Sequence, residues 1–384
     1  MLNIDRRLLM NFDWGLFALT LIIPVCGLVV LYSAGYDADA TVDLFGLLSL
    51  EFASAACLKQ AVYLLAGIIV MVIGMSIPTQ VFYRYAFIVY GAALLLLCAV
   101  AGFGVIVNGS RRWLSLGGIN LQPAEFMKLA LILTMARVLS KAPPKDGHAY
   151  RFTELVLPGV LIAIPMGLIM QQPDLGTALS LGIVGVSQAL FVGVRFRVLL
   201  VVVMSALVLS YPAWHMLHDY QQRRILVLLN PEADPQGSGY HITQSKIAVG
   251  SGELFGKGYR QGTQTQLEFL PEHTTDFVFS VLAEEGGFVG TVFLIMLFFA
   301  LLSFMLRVAH RSRDLFACLL AFGITVQFFA HIVINIGMVI GLMPVVGIPL
   351  PLVSYGGSSM LSLMFGVGIV QGISMRRMLF RASP

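Results

Sequence analysis

The stretch that decides the reading is PEHTTDFVFSVLAEEGGFVG, Pro271 to Gly290. It closes a long polar segment and opens the longest apolar run of the chain. It places three carboxylates, Asp276, Glu284 and Glu285, at the mouth of that run and just inside it. A carboxylate is costly away from water, so acidic groups at the edge of a membrane helix are kept where something uses them. As one helix, Asp276 to Leu306 would extend about 45 Å at 1.5 Å per residue, against a hydrocarbon core of about 30 Å. With Arg307 at the inner end, Asp276 is lifted to headgroup level. Two readings of Asp276 are open. It is either an acidic first-turn residue complementing the helix dipole behind an N-cap at Thr274 or Thr275, or a functional carboxylate at the membrane surface. Glu284 and Glu285 point about 100° apart on a helix, so at most one shares the face of Asp276; hydrogen bonding between helices is the other use for them.

Outward from this stretch the whole chain is apolar. Of 384 residues, 58% are hydrophobic and 11% charged, with mean hydropathy +0.87. This excludes an ordinary soluble domain, in which about a quarter of residues are charged. Runs long enough to span a bilayer fall near residues 14–33, 59–77, 83–106, 123–140, 153–171, 175–193, 197–214, 277–306, 315–342 and 352–374. The pattern predicts an all-α polytopic membrane protein of about ten transmembrane helices, a single domain over residues 1–384, with one large loop over 215–275. Arg6 and Arg7 ahead of the first run, and Ala38-Asp39-Ala40 after it, resemble a signal peptide. That run exceeds the usual apolar core of about 7–15 residues and is read as a retained first span. The cysteines Cys26, Cys57, Cys98 and Cys318 are scattered without a CxxC spacing, which points to neither a zinc site nor a disulfide framework.

Most of the 24 Lys and Arg fall in segments on the side of the two termini, which makes both termini cytoplasmic and the large loop external. The exceptions are informative. Lys59 starts the second run, and Arg111 and Arg112 sit together in a short outer loop. Paired guanidinium groups there ask for an anionic ligand; surface arginines without function are the alternative. Arg223, Arg224, Lys246, Lys257 and Arg260 lie in the long loop, where the rule is weak.

Several further groups interrupt apolar runs. QPAEFMK, Gln122 to Lys128, puts Pro123 at a helix start and Glu125 in its first turn, with Lys128 on the same face and able to pair with it. An intramembrane ion pair is either structural or marks a cavity. Gln327, His331 and Asn335, four apart, form one polar stripe suited to helix packing. Asp174 in QQPDLGTA is placed to cap the next helix. PVVGIPLPLVSYGGSS, Pro344 to Ser359, reads as a loop dipping toward the membrane with a helix start at Ser354. Asn108-Gly109, Asn230-Pro231 and Asp234-Pro235 are turn signals. GSGELFGKG, Gly250 to Gly258, matches neither dinucleotide nor P-loop patterns, so no nucleotide site is expected.

RRWLSLGGINLQPAEFMK, QQPDLGTAL, LPEHTTDFVFSVLAEEGGFVG and GLMPVVGIPLPLVSYGGSS resemble, in order and over essentially the whole chain, the signature blocks of the SEDS family (shape, elongation, division, sporulation). The last block is more similar to RodA-like elongation members than to FtsW-like division members. The resemblance implies a peptidoglycan glycosyltransferase of the bacterial inner membrane, with a large periplasmic loop. Such enzymes polymerise lipid II, a disaccharide-pentapeptide on undecaprenyl pyrophosphate, at the periplasmic face beside a class B penicillin-binding protein transpeptidase. It implies Asp276 as the catalytic carboxylate and Arg111, Arg112, Glu125, Lys128 and Lys59 as substrate-binding groups. A divalent cation (Mg or Mn) is a candidate cofactor, and no nucleic acid is involved. The pattern departs at Thr274, where RodA-like sequences commonly carry His and this chain has His273 one position earlier, at Lys59, often Arg, and at Asn120, basic in some relatives. A lipid II flippase, to which Glu125, Lys128 and Glu284 would be suited, and a non-catalytic cell-wall scaffold are the competing functions.

Overall fold

The computed structural model describes residues 11–36, 41–44, 48–51, 54–107, 110–116, 119–141, 149–216, 219–230, 234, 237–267, 269–270 and 272–376. Arg6, Arg7, Ala38-Asp39-Ala40, the Asn108-Gly109 turn, Pro231, Pro235, Pro271 and both termini lie outside the described residues. In chain order the elements are α1 (Trp14–Ala34), β1 (Thr41–Leu44), β2 (Leu48–Glu51), α2 (Ala55–Ser76), α3 (Thr79–Phe103), β3 (Val105–Val107), β4 (Ser110–Leu116), β5 (Ile119–Leu121), α4 (Pro123–Lys141), α5 (Phe152–Gln171), α6 (Leu175–Val192), α7 (Phe196–Met216), α8 (Asp219–Leu229), α9 (Ser238–Ser251), α10 (Thr263–Gln266), α11 (Val278–Arg311), α12 (Leu315–Val339) and α13 (Gly357–Arg376). The ten apolar runs correspond to α1–α7 and α11–α13. Among the described residues, α1, α2, α3, α5, α6, α11, α12 and α13 are long and apolar enough to cross a membrane. The chain is an all-helical polytopic membrane protein.

Burial sorts these helices into a centre and a ring. In α12 and α13, 72% and 83% of the span is buried, against 22–39% for α1, α2, α3, α5 and α11. Nearly every residue of α4 is buried as well, Glu125 and Lys128 included. Helices exposed to lipid carry large apolar side chains outward, such as Leu65, Ile69, Leu95 and Phe299; a central helix can carry polar groups, provided that they find partners.

Close approach between α2 and α13 rests on small residues. Gly67 and Gly74 of α2 face the side chains of Met364 and Phe365, while Gly368 of α13 lies against the Met71 carbonyl and Gly372 near that of Met75. Lipid tails are as apolar as leucine, so helices in a bilayer associate through such tight packing rather than by escape from water. A Cβ on Gly368 would overlap the Met71 carbonyl, and backbone cannot swing aside as a side-chain tip does. Gly368→Ala should therefore cost about 1–3 kcal/mol through overpacking and lower the detergent melting temperature by several degrees. An unchanged melting temperature would show that the two helices are free to separate.

Three local outcomes differ from the sequence reading. The third apolar run, read as helical to 106, leaves the helix at Gly104, and the β-branched Val105, Ile106 and Val107 form β3. Branching at Cβ crowds the helix but suits a pleated strand. The segment around Arg111, read as an interfacial loop, is a three-stranded antiparallel sheet, β3-β4-β5, pairing Val105 with Trp113 and Leu114 with Leu121. The last helix begins at Gly357, not Ser354; the residues ahead of it form turns, and a Cβ on Gly357 would meet the Tyr63 ring at 2.8 Å.

The fourth difference concerns the deciding stretch. α11 is not one continuous rod, because Gly287 takes φ 63 and ψ −163 and interrupts it. The GSGELFGKG run plugs the gap. Lys257 N–H donates to Glu284 O (3.0 Å) and Gly258 N–H to Glu285 O (3.1 Å), while beyond the break Phe288 N–H donates to Glu253 O (2.9 Å) and Val289 N–H to Leu254 O (3.1 Å). Backbone groups freed by the kink thus find partners in protein, as irregular backbone at membrane depth must. Gly256, at φ 78, lies against the Glu285 carbonyl, where no side chain fits.

Candidate active site

Asp276 lies in the turn from Glu272 to Phe277, one step ahead of α11. The helix starts at Val278, and its N-cap, Phe277, makes no side-chain cap. Asp276 is therefore neither the cap nor a first-turn residue of α11. Its backbone is held from both sides: its N–H donates to Glu272 O (3.1 Å), and its carbonyl accepts from Asn335 Nδ2 of α12 (2.9 Å). Asn335 Nδ2 also reaches Ile348 O at 2.8 Å, tying the loop after α12 to the same point. In that loop Gly347 takes φ 70, and a Cβ there would stand 3.5 Å from Asp276 Oδ2. Tyr355 N–H donates to Thr274 O (3.0 Å). The turn is clamped by backbone and amide contacts, while the carboxylate accepts no hydrogen bond from the described residues.

Burial pushes the Asp276 carboxyl up to about 6, the neighbouring Glu272 carboxylate and Asp174 add to the rise, and Arg224 and Arg112 oppose it. A helix N-terminus would have lowered it. Because the helix begins two residues later, desolvation wins, and the group titrates near neutrality where a general base is most effective.

Arg112 and Arg111 part company. Alternate residues of a strand face opposite sides, and β4 sends Arg112 toward α6, where its guanidinium donates to Gln172 O (3.2 Å) and Pro173 O and stands 3.8 Å from Asp174. Asp174 caps α6 through Thr177 N–H (3.1 Å), as its position predicted, and also accepts from Gln122 Nε2 (3.3 Å). Arg111 is exposed and donates to Ala101 O at the end of α3 (3.1 Å). Arg112 belongs to the electrostatic surroundings of Asp276; Arg111 does not.

A second, buried cluster joins α4, α12 and α13. Lys128 Nζ donates to Glu125 Oε1 at 2.7 Å and contacts His331 Nε2 at 2.9 Å, and Ser362 Oγ of α13 donates to Glu125 Oε2 at 3.2 Å. Each of the four is at most 2% exposed. Glu125 serves Lys128 and Ser362, not the helix end. Lys59 is exposed at the start of α2, whereas its neighbour Gln60 is buried, donating to Ser354 O (3.0 Å) and accepting from Gly356 N–H (3.1 Å). Glu284 and Glu285 are absorbed elsewhere. Glu284 accepts from Lys257 Nζ (2.7 Å), Thr263 Oγ1 (3.1 Å) and Gln264 N–H (3.1 Å), and Glu285 from Ser33 Oγ of α1 (2.6 Å). Of Asp276, Glu284 and Glu285, Asp276 alone is left with no hydrogen bond to its carboxylate among the described residues.

A carboxylate free of hydrogen bonds among the described residues, with Arg112 and Arg224 in its surroundings and a buried ammonium on α4, is matched by whole-chain similarity. Residues 13–379 match the family model FtsW/RodA/SpoVE, described as cell cycle protein. The chain belongs to this family. It is 43% identical over 320 residues to the peptidoglycan glycosyltransferase MrdB of Escherichia coli strain K12, covering 83% of this chain and 85% of that protein. It is 37% identical over 380 residues to MrdB of Helicobacter pylori strain 26695, covering 98% and 93%. Among solved structures, a chain of a peptidoglycan synthase complex that coordinates polymerization and crosslinking superposes with TM-score 0.79 at 32% identity, covering 95% of this chain and 98% of that one. The rod shape determining protein RodA of Thermus thermophilus does so with TM-score 0.69 at 30% identity, covering 95% and 97%. This FtsW/RodA/SpoVE member is a peptidoglycan glycosyltransferase of the RodA-like branch.

Sequence reasoning did not reach Gln60, Ser358 and Ser362, nor the assignment of Asn335 to Asp276 and of His331 to Lys128. Ser358 accepts from Gln122 N–H (3.0 Å) and donates to Asn120 O (3.3 Å), joining α13 to β5 and α4. The signal was present for the stripe, since Gln327, His331 and Asn335 share a face. Its partners come from residues far away in sequence, and spacing along one helix cannot name them. His273, set beside the departure at Thr274, turns back to its own loop, 2.8 Å from Leu270 O.

Proposed function

We propose that the chain polymerises lipid II into glycan strands at the periplasmic face of the bacterial inner membrane, during cell elongation, by inverting attack of an acceptor sugar hydroxyl on an undecaprenyl-pyrophosphate-linked donor. The observation that carries this reading is the Asp276 carboxyl, free of hydrogen bonds among the described residues and raised to about 6. A sugar hydroxyl is a poor nucleophile until a positioned base accepts its proton, and Asp276 is that base. Bond formation at the anomeric carbon and departure of the pyrophosphate invert an α-linked donor to a β-linked product in one displacement, without a covalent enzyme intermediate. Negative charge develops on the leaving pyrophosphate, and fixed cations facing it lower the barrier. Arg112 and Lys128 supply that charge in this reading. Lys59 and Arg111, both exposed, meet the lipid phosphates further out.

Among the described residues no group of three or more His, Cys, Asp or Glu is placed to hold a metal ion. A divalent cation (Mg or Mn) would therefore be bound largely through pyrophosphate oxygens and water, with one or two carboxylates from the chain, a mode usual for Mg2+. Both termini are assigned to the cytoplasm, and a class B penicillin-binding protein is the proposed partner that crosslinks the product.

Purified chain in detergent, given lipid II with and without that transpeptidase, tests the reading: a ladder of glycan products supports it. No ladder in either case, with lipid II crossing reconstituted vesicles, would replace it by the flippase. The pH profile adds a second test. Asp276 must be ionised to accept a proton, so kcat should be level above about pH 7 and fall about tenfold per unit below the raised value near 6. A profile flat down to pH 4.5 would remove Asp276 from the rate-determining step.

A further inference from the structure

The two halves of the site are connected through one helix. Asn335 of α12 holds the Asp276 carbonyl, and His331, one turn away on the same helix, meets Lys128 Nζ at 2.9 Å. Four residues of α-helix advance about 6 Å, and α12 is buried along 72% of its span, so it has little room to tilt. We infer that α12 is a ruler that fixes the separation between Asp276 and Lys128, with His331 as the positioning residue for the ammonium and Asn335 for the base. The inference rests on the glycosyl-transfer reading of Asp276 and Lys128.

Lys128 needs such a support. Its charge sits on a flexible four-carbon stem with three donor protons. Glu125, on the same helix three residues earlier and itself held by Ser362 of α13, neutralises it; among the described residues His331 is the group on another helix that touches Lys128 Nζ directly. A contact from a second helix sets its direction. An ammonium has no lone pair to offer, so in this contact His331 Nε2 accepts, and the proton of the neutral imidazole resides on Nδ1. His331 is completely buried, and its Nδ1 has no partner among the described residues. The ring is held by its packing inside the bundle, and among the described residues its polar contact is the one to Lys128. Base and cation act on opposite sides of the reacting carbon, and a displacement of about 1 Å in such a pair can cost 10²-fold in rate.

The same stripe contains an internal control. Gln327 lies one turn further along α12, wholly buried, and neither its Oε1 nor its Nε2 has a partner among the described residues. It shares the burial and polarity of His331 but not the contact with Lys128.

The test uses the full chain in detergent with lipid II and four folded variants compared by kcat and KM. Glutamine at 331 keeps an acceptor oxygen for the ammonium, and methionine matches its length without one. His331→Met should lose about 10²-fold in kcat, the size expected for a misplaced group, with KM for lipid II changed less than about threefold. The acid limb near pH 6 should stay in place, because Asp276 is untouched. His331→Gln should recover to within about fivefold of wild type, and Gln327→Leu should match wild type; both ranges follow from loss or retention of a single acceptor. A folded His331→Gln with less than a tenth of wild-type kcat overturns the assignment, as does a fully active His331→Met. Asp276→Asn is the fourth variant: if it keeps activity, the underlying glycosyl-transfer reading fails, whatever the His331 variants do.

Discussion

Asp276→Asn should abolish lipid II polymerisation, with a loss of at least about 10²–10⁴-fold, the usual contribution of a positioned general base. The two side chains have the same shape, and the turn is held by backbone groups: Asp276 N–H to Glu272 O, Asp276 O to Asn335, and Thr274 O to Tyr355 N–H. None of these needs the carboxylate. The amide cannot take a proton from the acceptor hydroxyl, so the loss falls on kcat. Stability should move the other way. The folded-state pKa of about 6 lies above the ordinary carboxylate value, so the folded protein holds the neutral form more readily than the unfolded chain does. This group's contribution to stability is full in acid and is lost as pH rises through about 6. At pH 7.5 the asparagine variant should therefore melt at the wild-type temperature or above it, and any gain should shrink to about half at pH 5 and vanish below about pH 4, the ordinary carboxylate value. A variant that is folded and active would remove Asp276 from the role of base.

Asp276 drew notice from sequence through a simple conflict, a charge standing where an apolar run begins, but that conflict left two readings open, and its catalytic role was implied by the resemblance to the SEDS family alone. Conflicts of this kind survive translation into three dimensions because their cost is local. The helices themselves were legible for the same reason, each being a run of apolar residues long enough to span a bilayer. What escaped was whatever depends on a partner far away in the chain. The break at Gly287 is hidden in a run that looks helical throughout, since glycine in an apolar segment is compatible with a continuous helix. Its cause lies some thirty residues upstream, in the Glu253–Gly258 loop that supplies the missing hydrogen bonds. That loop could be excluded as a nucleotide site but not assigned a use. Arg111 and Arg112 looked equivalent as neighbours. The strand that separates them, β4, holds one aromatic and no β-branched residue and is completed by pairing with the β-branched β3, so its own signal is weak between two strong helices. Gln60, lying next to the more conspicuous Lys59, was masked by it, although it is Gln60 that ties down the turn before α13.

Lys128→Met should be strongly destabilising. Methionine fills nearly the same volume, but the substitution leaves Glu125, 2% exposed, with Ser362 as its remaining partner among the described residues. Removing one member of a buried ion pair costs about 3–5 kcal/mol, because the other charge is then uncompensated. For a chain of this size that is a fall in melting temperature on the order of 10 °C. Activity should be lost as well, but that observation alone does not separate catalysis from folding. The double variant Glu125→Gln, Lys128→Met does. With both charges gone no uncompensated ion remains, and replacement of a buried pair by neutral groups of similar size is often neutral or stabilising. The double variant should therefore regain most of the melting temperature of the wild type, while polymerisation stays lost because the ammonium that acts with Arg112 on the leaving pyrophosphate is missing. If glycan synthesis returns together with stability, the pair serves the fold alone, and the ammonium has no part in the chemistry.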